Sequence, residues 1–400
     1  MGARSPALPY WRLSGFYLAY FAALGALVPY WPLYLEGRGF GAAEIGELIA
    51  VLMATKLLAP FLWSWLADRT GLRMPVVRSG SLLAVLSFTL VLFEPGFWPL
   101  ALVTALFSFF WNAALPQFEA VTLNHLRHDT HQYPRVRLWG SVGFVVTVVA
   151  CGPLLDRFGT GWLPAVLLAC FVLIWGVSHL VADAPGVGQA GHPPRGGTLV
   201  KIMRAPPVAA FFVVCFLAQF GHGPYYAFFS VHLEASGYSR TLIGQLWALG
   251  VIAEIALFIV MPRLAGRLNL RRMLVLALAI AAVRWLAIGL FADRLWVVLL
   301  AQLGHAATFG LFHAGAIELV HRYFHGRHQG RGQALYSSLS FGAGGAAGSL
   351  SAGYLWSAGA QWAFGVAAGA AALGALVAWL WLRGPEAERP ARIEAPEAPV

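Results

Sequence analysis

Charged side chains are scarce in this 400-residue sequence, at 11% of the whole against about 25% in soluble domains. A soluble chain of this length could not cover its surface with so few. Acid is scarcest, with 17 Asp and Glu against 27 Lys and Arg, which leaves a formal net charge of +10. That excess is arginine in short loops, with no continuous basic face, so it calls for no nucleic acid. Cysteine is nearly absent. Cys151, Cys170 and Cys215 are an odd number and sit inside apolar runs, which excludes a disulfide framework. No glycine-rich phosphate loop with its Lys-Ser/Thr end occurs, which argues against ATP-driven work. What is present is apolar bulk: 59% hydrophobic residues, 27 Phe, 16 Trp and 44 Gly. Aromatic belts and small packing residues of this kind belong to a chain solvated by lipid.

A helix needs about 20 apolar residues to cross a bilayer. Twelve such runs can be marked: 10–35, 44–66, 75–93, 98–124, 137–156, 161–182, 207–233, 241–262, 273–291, 296–323, 332–356 and 360–382. The first is too long for the apolar core of a signal peptide and reads as an uncleaved span. The longest break, Asp183 to Pro206, is rich in Pro and Gly and reads as a linker. It divides the chain into a half at 1–182, a cytoplasmic linker at 183–206 and a half at 207–384. The stretch 385–400, rich in Pro, Glu and Ala, is expected to be a disordered tail. Of the 27 basic residues, 21 fall at the termini, in the linker and in the even-to-odd loops, and only Arg38, Arg157, Arg240 and Arg294 fall in the opposite loops. The positive-inside rule then puts both termini in the cytoplasm.

The halves resemble each other. Leu35-Glu36-Gly37-Arg38-Gly39-Phe40, followed by Ile45-Gly46, matches Leu233-Glu234-Ala235-Ser236-Gly237-Tyr238, followed by Ile243-Gly244, at an offset of 198 residues. Arg69 and Arg73 fall on Arg267 and Arg271 at the same offset, and Glu119 falls close to Glu318. Two six-helix repeats in parallel orientation describe a transporter architecture with its site at the midplane between halves. The fold class expected is an all-α membrane protein of twelve transmembrane helices.

The loop Ser64-Trp65-Leu66-Ala67-Asp68-Arg69-Thr70-Gly71-Leu72-Arg73 resembles the gating signature after the second helix of the major facilitator superfamily, with Asp68, Arg69, Gly71 and Arg73 in its functional places. The second copy has Gly266 where the acid would stand. A narrower set is similar to the phenylpropionate permease family, a relative of lactose permease and nucleoside symporters: Val136-Arg137-Leu138-Trp139-Gly140-Ser141, Tyr225-Tyr226-Ala227-Phe228, Val283-Arg284-Trp285 and His305…Thr308-Phe309…His313. The resemblance implies a multi-pass monomer of the cell inner membrane that takes up a small organic solute with protons, by alternating access and without a cofactor. An aromatic carboxylate is the solute it suggests.

Five ionisable residues lie within spans, where each costs roughly 2.5–3.5 kcal/mol on insertion scales and is a functional hypothesis by default: Lys56, Glu119, Glu254, Arg284 and Glu318. Glu254 and Arg284 lie at similar depths, about 12 and 16 Å in at ~1.5 Å per residue, on consecutive helices. They are expected to form an ion pair, either structural or part of a coupling relay. Glu119, Glu254 and Glu318 are the candidates for proton coupling, because a carboxylate in a low-dielectric cavity can bind and release a proton near neutral pH. Contact of Glu119 or Glu318 with nearby loop arginines is the plainer alternative. Lys56 stands where the permease resemblance carries a basic residue, and is a candidate for an anionic substrate. His222, Tyr225 and Tyr226 beside Gly221, Gly223 and Pro224 suggest an aromatic wall at a bend, and His305 and His313 are further binding candidates, with helix packing as their ordinary alternative.

The histidine runs His125, His128, His131 and His321, His325, His328 lack an acidic or thiolate partner, so no metal is expected. Three functions compete. A proton-linked importer fits best, whether of an aromatic acid, a sugar or a nucleoside. A drug-type antiporter would want a glycine-rich fifth helix, which Gly140, Gly143, Gly152 and Pro153 approach loosely. A membrane-embedded enzyme would need a clustered nucleophile or metal box, and no such cluster is present in the sequence.

Overall fold

A computed structural model describes residues 8–126, 129, 132–183, 196–265, 268–325 and 328–390. Positions 184–195 of the linker, Gly266, Arg267, His128, His131 and the last ten residues fall outside these, and the described end of the linker forms a short helix, Gly196–Met203. Eleven helices are long and apolar enough to cross a membrane. They are α1 (Tyr10–Gly37), α2 (Ala42–Thr70), α3 (Arg73–Phe93), α4 (Phe97–Leu126), α5 (Tyr133–Phe158), α6 (Thr160–Ser178), α7 (Pro206–Ala235), α8 (Arg240–Ala265, apolar to Met261), α9 (Leu270–Phe291), α10 (Leu295–Tyr323) and α12 (Ala360–Trp381). The twelfth, α11, runs in three consecutive pieces, Gln329–Ser337, Ser338–Gly344 and Gly345–Trp356, the middle one wound as a π-helix.

Two cavity-side helices are jointed. In α4 the helix lapses at Asn112 and Ala113 before resuming at Ala114, and in α10 the stretch Ala306–Leu311 is a π-turn. At the repeat offset Asn112 corresponds to Gly310, so the two joints are equivalent. Pro116 follows the first joint; a π-turn inserts an extra residue into a helix and is commonly found at functional sites. The start of α1 and the end of α12 lie on one face of the bundle, called the termini face below, because twelve spans return the chain to its starting side. α1 and α7 are the most enclosed helices. Large apolar side chains on the outer helices, such as Leu86, Val172, Leu286 and Leu376, are exposed, as a lipid boundary requires.

The halves meet along α1–α7, α2–α11 and α5–α8. At the face opposite the termini they are sealed. A Cβ on Gly46 would stand 2.6 Å from the Cα of Gly353, and one on Gly152 would stand 2.7 Å from the carbonyl oxygen of Arg240, so only glycine lets these helices cross so closely. The hydroxyl of Tyr354 donates to Glu47 (2.5 Å) and that of Tyr30 to the carbonyls of Val148 (2.8 Å) and Arg240 (3.3 Å) across or beside the same seam.

On the termini face the gating loop forms as a network. Gly71 takes φ +70° and ends α2, Asp68 accepts from Arg73 (2.9 Å), Arg73 donates to Gln117 of α4 (2.6 Å), and Gln117 donates to Ser64 (2.9 Å). The guanidinium of Arg69 lies over the Trp65 ring. In the second half Arg271 finds its carboxylate elsewhere, on Glu388 of the tail at 3.2 Å.

This corrects the expectation of a wholly disordered tail. Pro385–Glu388 is a helical turn, Ala387 is buried, and Pro390 pairs with the backbone of Asn269. Arg322 at the end of α10 donates to the carbonyls of Glu386 (2.8 Å), Arg389 (3.4 Å) and Pro390 (2.8 Å). Composition missed this because the acceptors are backbone groups. Arg322→Gln should therefore undock this strap and raise cleavage by a glutamate-specific protease after Glu388 by roughly tenfold, since a hydrogen bond from a charged group contributes about 1.5–3 kcal/mol. Unchanged cleavage would mean that Arg322 does not hold the strap.

Candidate functional site

Below the seal, side chains from both halves converge. A small cavity between them is lined by Leu27, Val28 and Trp31 of α1, Ile49, Leu52 and Met53 of α2, and Tyr226 of α7. One turn further along α2, the ammonium of Lys56 lies 3.5 Å from the sulfur of Met53. Among the described residues no carboxylate lies within 4.0 Å of it. Lys56 is held in place through its own backbone, whose carbonyl accepts from Ser338 (3.3 Å), and through Thr55 beside it, which is tied to Ser108 and Asn112 of α4 (3.0 Å each).

In the C-terminal half a second cluster surrounds Arg284. Its guanidinium is buried (3% exposed) and each of its three nitrogens donates: Nε to the carbonyl of Ala301 (2.7 Å), one terminal nitrogen to Thr308 (3.0 Å), the other to Gln302 (2.9 Å). The rings of Tyr225 and Trp285 lie 4.5 Å from its central carbon. Gln302 is fixed in turn by Tyr225 and by the carbonyl of Leu246 (2.8 Å). The expected Glu254–Arg284 ion pair is not formed. Equal depth does not fix the rotation of two helices about their axes, and here neutral dipoles take every direction of the guanidinium.

Glu254 faces His305 instead, with 3.8 Å between carboxylate and Nε2. His305, Phe309 and His313 stack in a row, with centroids 5.4 and 5.9 Å apart and planes within 9° and 11° of parallel. A regular helix would spread the two histidines by about 80°; the π-turn between them brings both rings to one face. Nδ1 of His313 contacts the hydroxyl of Tyr336 of α11 at 2.9 Å. His222 contacts the carbonyl of Ala218 through Nδ1 (2.8 Å), sits edge-on to Trp285 and stacks on Tyr226.

In the N-terminal half Glu119 lies 3.9 Å from Arg137 and accepts from Tyr133 (3.4 Å). Arg137 covers the Phe21 ring at 4.0 Å and lies within electrostatic reach of Glu254 and His313 in the other half. About a third of each of the Glu119 and Arg137 side chains is exposed, so the space between the halves is reachable on the side away from the seal. Glu318 stands apart. It holds Arg322 at 2.8 Å under the strap, the arginine contact that was its alternative reading.

Arg137, Gln302, Thr308, Trp31 and Tyr133 belong to these three groups and were not singled out as site residues. Arg137 had a signal. It opens the Arg-Leu-Trp-Gly stretch shared with permeases, yet α5 begins four residues before it, so a residue counted with the loop is one turn inside. Among the described residues no group of His, Cys, Asp or Glu is arranged to hold a metal.

The MFS_1 like family model matches residues 10–366. The chain is 30% identical over 353 residues to the probable 3-phenylpropionic acid transporter of Escherichia coli (strain K12), covering 85% of this chain and 89% of that one. It is also 30% identical over 363 residues to the maltose permease of Geobacillus stearothermophilus, covering 87% and 89%. Among solved structures, a mutant form of the nucleoside transporter NupG superposes with a TM-score of 0.84 at 15% identity, over 94% of this chain and all of that one. A twelve-helix bundle of two halves, polar clusters between them and a family match over most of the length agree: the chain belongs to the MFS_1 like family of the major facilitator superfamily and is a multi-pass secondary transporter.

Proposed function

We propose that this transporter imports small organic anions with a flat, apolar body, coupled to protons. The observation that carries the reading is Lys56, a cation with no carboxylate within 4.0 Å among the described residues, at the edge of a cavity walled by Trp31, Tyr226, Met53 and aliphatic side chains. A bound carboxylate would supply the missing counter-charge while an aromatic body fills the apolar wall. A sugar or nucleoside would instead need several polar groups in that wall. The likeness to a 3-phenylpropionic acid transporter points the same way.

Proton coupling is assigned to Glu254 with His305, the one intramembrane carboxylate of the three candidates that has no arginine within 4.0 Å. Glu119 with Arg137 is the second candidate, and it would sense the state of the other half through that arginine. Both termini, with the 21 basic residues of their face, are assigned to the cytoplasm, so the sealed face is outward.

The test is uptake into proteoliposomes with an inward proton gradient, offering labelled 3-phenylpropionate, maltose and uridine in parallel. Accumulation of 3-phenylpropionate is expected, and Lys56→Met should reduce it roughly tenfold or more, the loss of one charge-assisted contact worth about 1.5–3 kcal/mol. Accumulation of maltose or uridine instead, or 3-phenylpropionate uptake by Lys56→Met at the unsubstituted rate, overturns the reading.

A further inference from the structure

Helix α8 begins against the other half of the molecule. Its first turn presents backbone N–H groups with no intrahelical acceptor. One is met locally, because Leu242 N donates to the hydroxyl of Ser239 (3.2 Å), an ordinary N-cap. Two others are met from α5 by a single side chain. Arg240 N donates to one carboxylate oxygen of Asp156 and Thr241 N to the other (2.9 Å each), and the Thr241 hydroxyl adds a third bond at 2.6 Å. The guanidinium of Arg240, steadied by Glu234 at 2.7 Å, donates back to the carbonyl of Leu155 (2.8 Å).

These bonds outnumber those in the rest of the seal. At the Gly152 crossing Tyr30 adds one neutral bond to the Arg240 carbonyl (3.3 Å), and at this end the α2–α11 seam carries the Tyr354–Glu47 bond. Asp156 alone joins the halves with three bonds to a charged acceptor. Such bonds are roughly twice as strong as neutral ones, and the helix N-terminus favours the negative charge further. Alternating access requires the halves to part at this end when the site turns to the sealed side. α5 and α8 carry the two sides of this clamp, so the bonds must break at that moment.

We propose that Asp156 is the positioning residue that holds the sealed end shut, clamping the first turn of α8, and that its release sets how often this end opens. The protein carries its own reporter and control. Cys151 is buried (4% exposed) about one and a half turns from Asp156 on the same helix, within electrostatic reach of the Tyr30 hydroxyl at the seam. Cys215 is fully buried within α7, away from the seam.

The full chain, in lipid nanodiscs, would be treated with N-ethylmaleimide and the modified cysteine found by peptide mass mapping. Asp156→Ala should raise the rate at Cys151 well over tenfold, because it removes all three bonds to the carboxylate where loss of a single charged-group bond already shifts the population about tenfold, and leave Cys215 unreactive. Thr241→Val, which removes only the hydroxyl bond, should raise it less and provides a milder variant should Asp156→Ala fold poorly. Cys151 rates unchanged in both variants would overturn the clamp. So would equal gains at Cys151 and Cys215, which would mean general loosening.

Discussion

Arg284→Gln should destabilise the protein by about 3 kcal/mol, and adding Glu254→Gln should return none of it. The guanidinium satisfies Thr308, Gln302 and the carbonyl of Ala301 within a few ångströms. A shorter neutral side chain leaves at least two of these acceptors buried and unpaired, at about 1–3 kcal/mol each. Relief of the arginine's own desolvation acts the other way and keeps the loss below the sum. Glu254 sits on His305 and contributes no bond to Arg284. A double-mutant cycle read from thermal unfolding should therefore give a coupling below about 1 kcal/mol, carried only indirectly through Tyr225 and His305, which lie between the two side chains. A coupling well above 1 kcal/mol would restore the direct ion pair.

Glu254→Gln should abolish concentrative uptake, by tenfold or more, while exchange of substrate across the membrane continues. Glutamine keeps the volume and can still bond to His305, but it cannot pick up and deliver a proton. Exchange needs only the loaded carrier to turn around, whereas accumulation needs the proton to travel with the substrate. Accumulation is read as the ratio of internal to external label with and without a proton gradient. A ratio in Glu254→Gln equal to that of the unsubstituted protein removes Glu254 from the relay, and Glu119 becomes the residue to examine next.

The hydrophobic pattern was enough to find the spans because lipid demands it of every one; α11 was legible as a span although its winding was not. The repeat proves to carry the seam as well, a role its sequence did not announce: Gly46 and Gly244, equivalent at an offset of 198, both lie in helix crossings of the sealed face. Azimuth was the part that sequence did not carry. Glu254 and Arg284 agree in depth but their heads lie on different partners. His305 and His313 share a face only because a π-turn rewinds the helix between them. The neutral groups that enclose Arg284 look like any polar residue in a span. The strap was hidden for another reason, since Arg322 is held by carbonyl oxygens that every sequence possesses.

The equivalent joints in α4 and α10 have a mechanical consequence. A rigid rod that tilts moves both its ends, so closing the open side would have to unpack the sealed one. A rod with a soft middle need not obey that rule. The segment of α4 beyond Asn112 carries Gln117 and Glu119, and the segment of α10 beyond Leu311 carries His313, Glu318 and Arg322. Each can swing about its joint while the segment on the other side stays packed. The site would then pass through a state enclosed from both sides, in which the solute is held before either face opens.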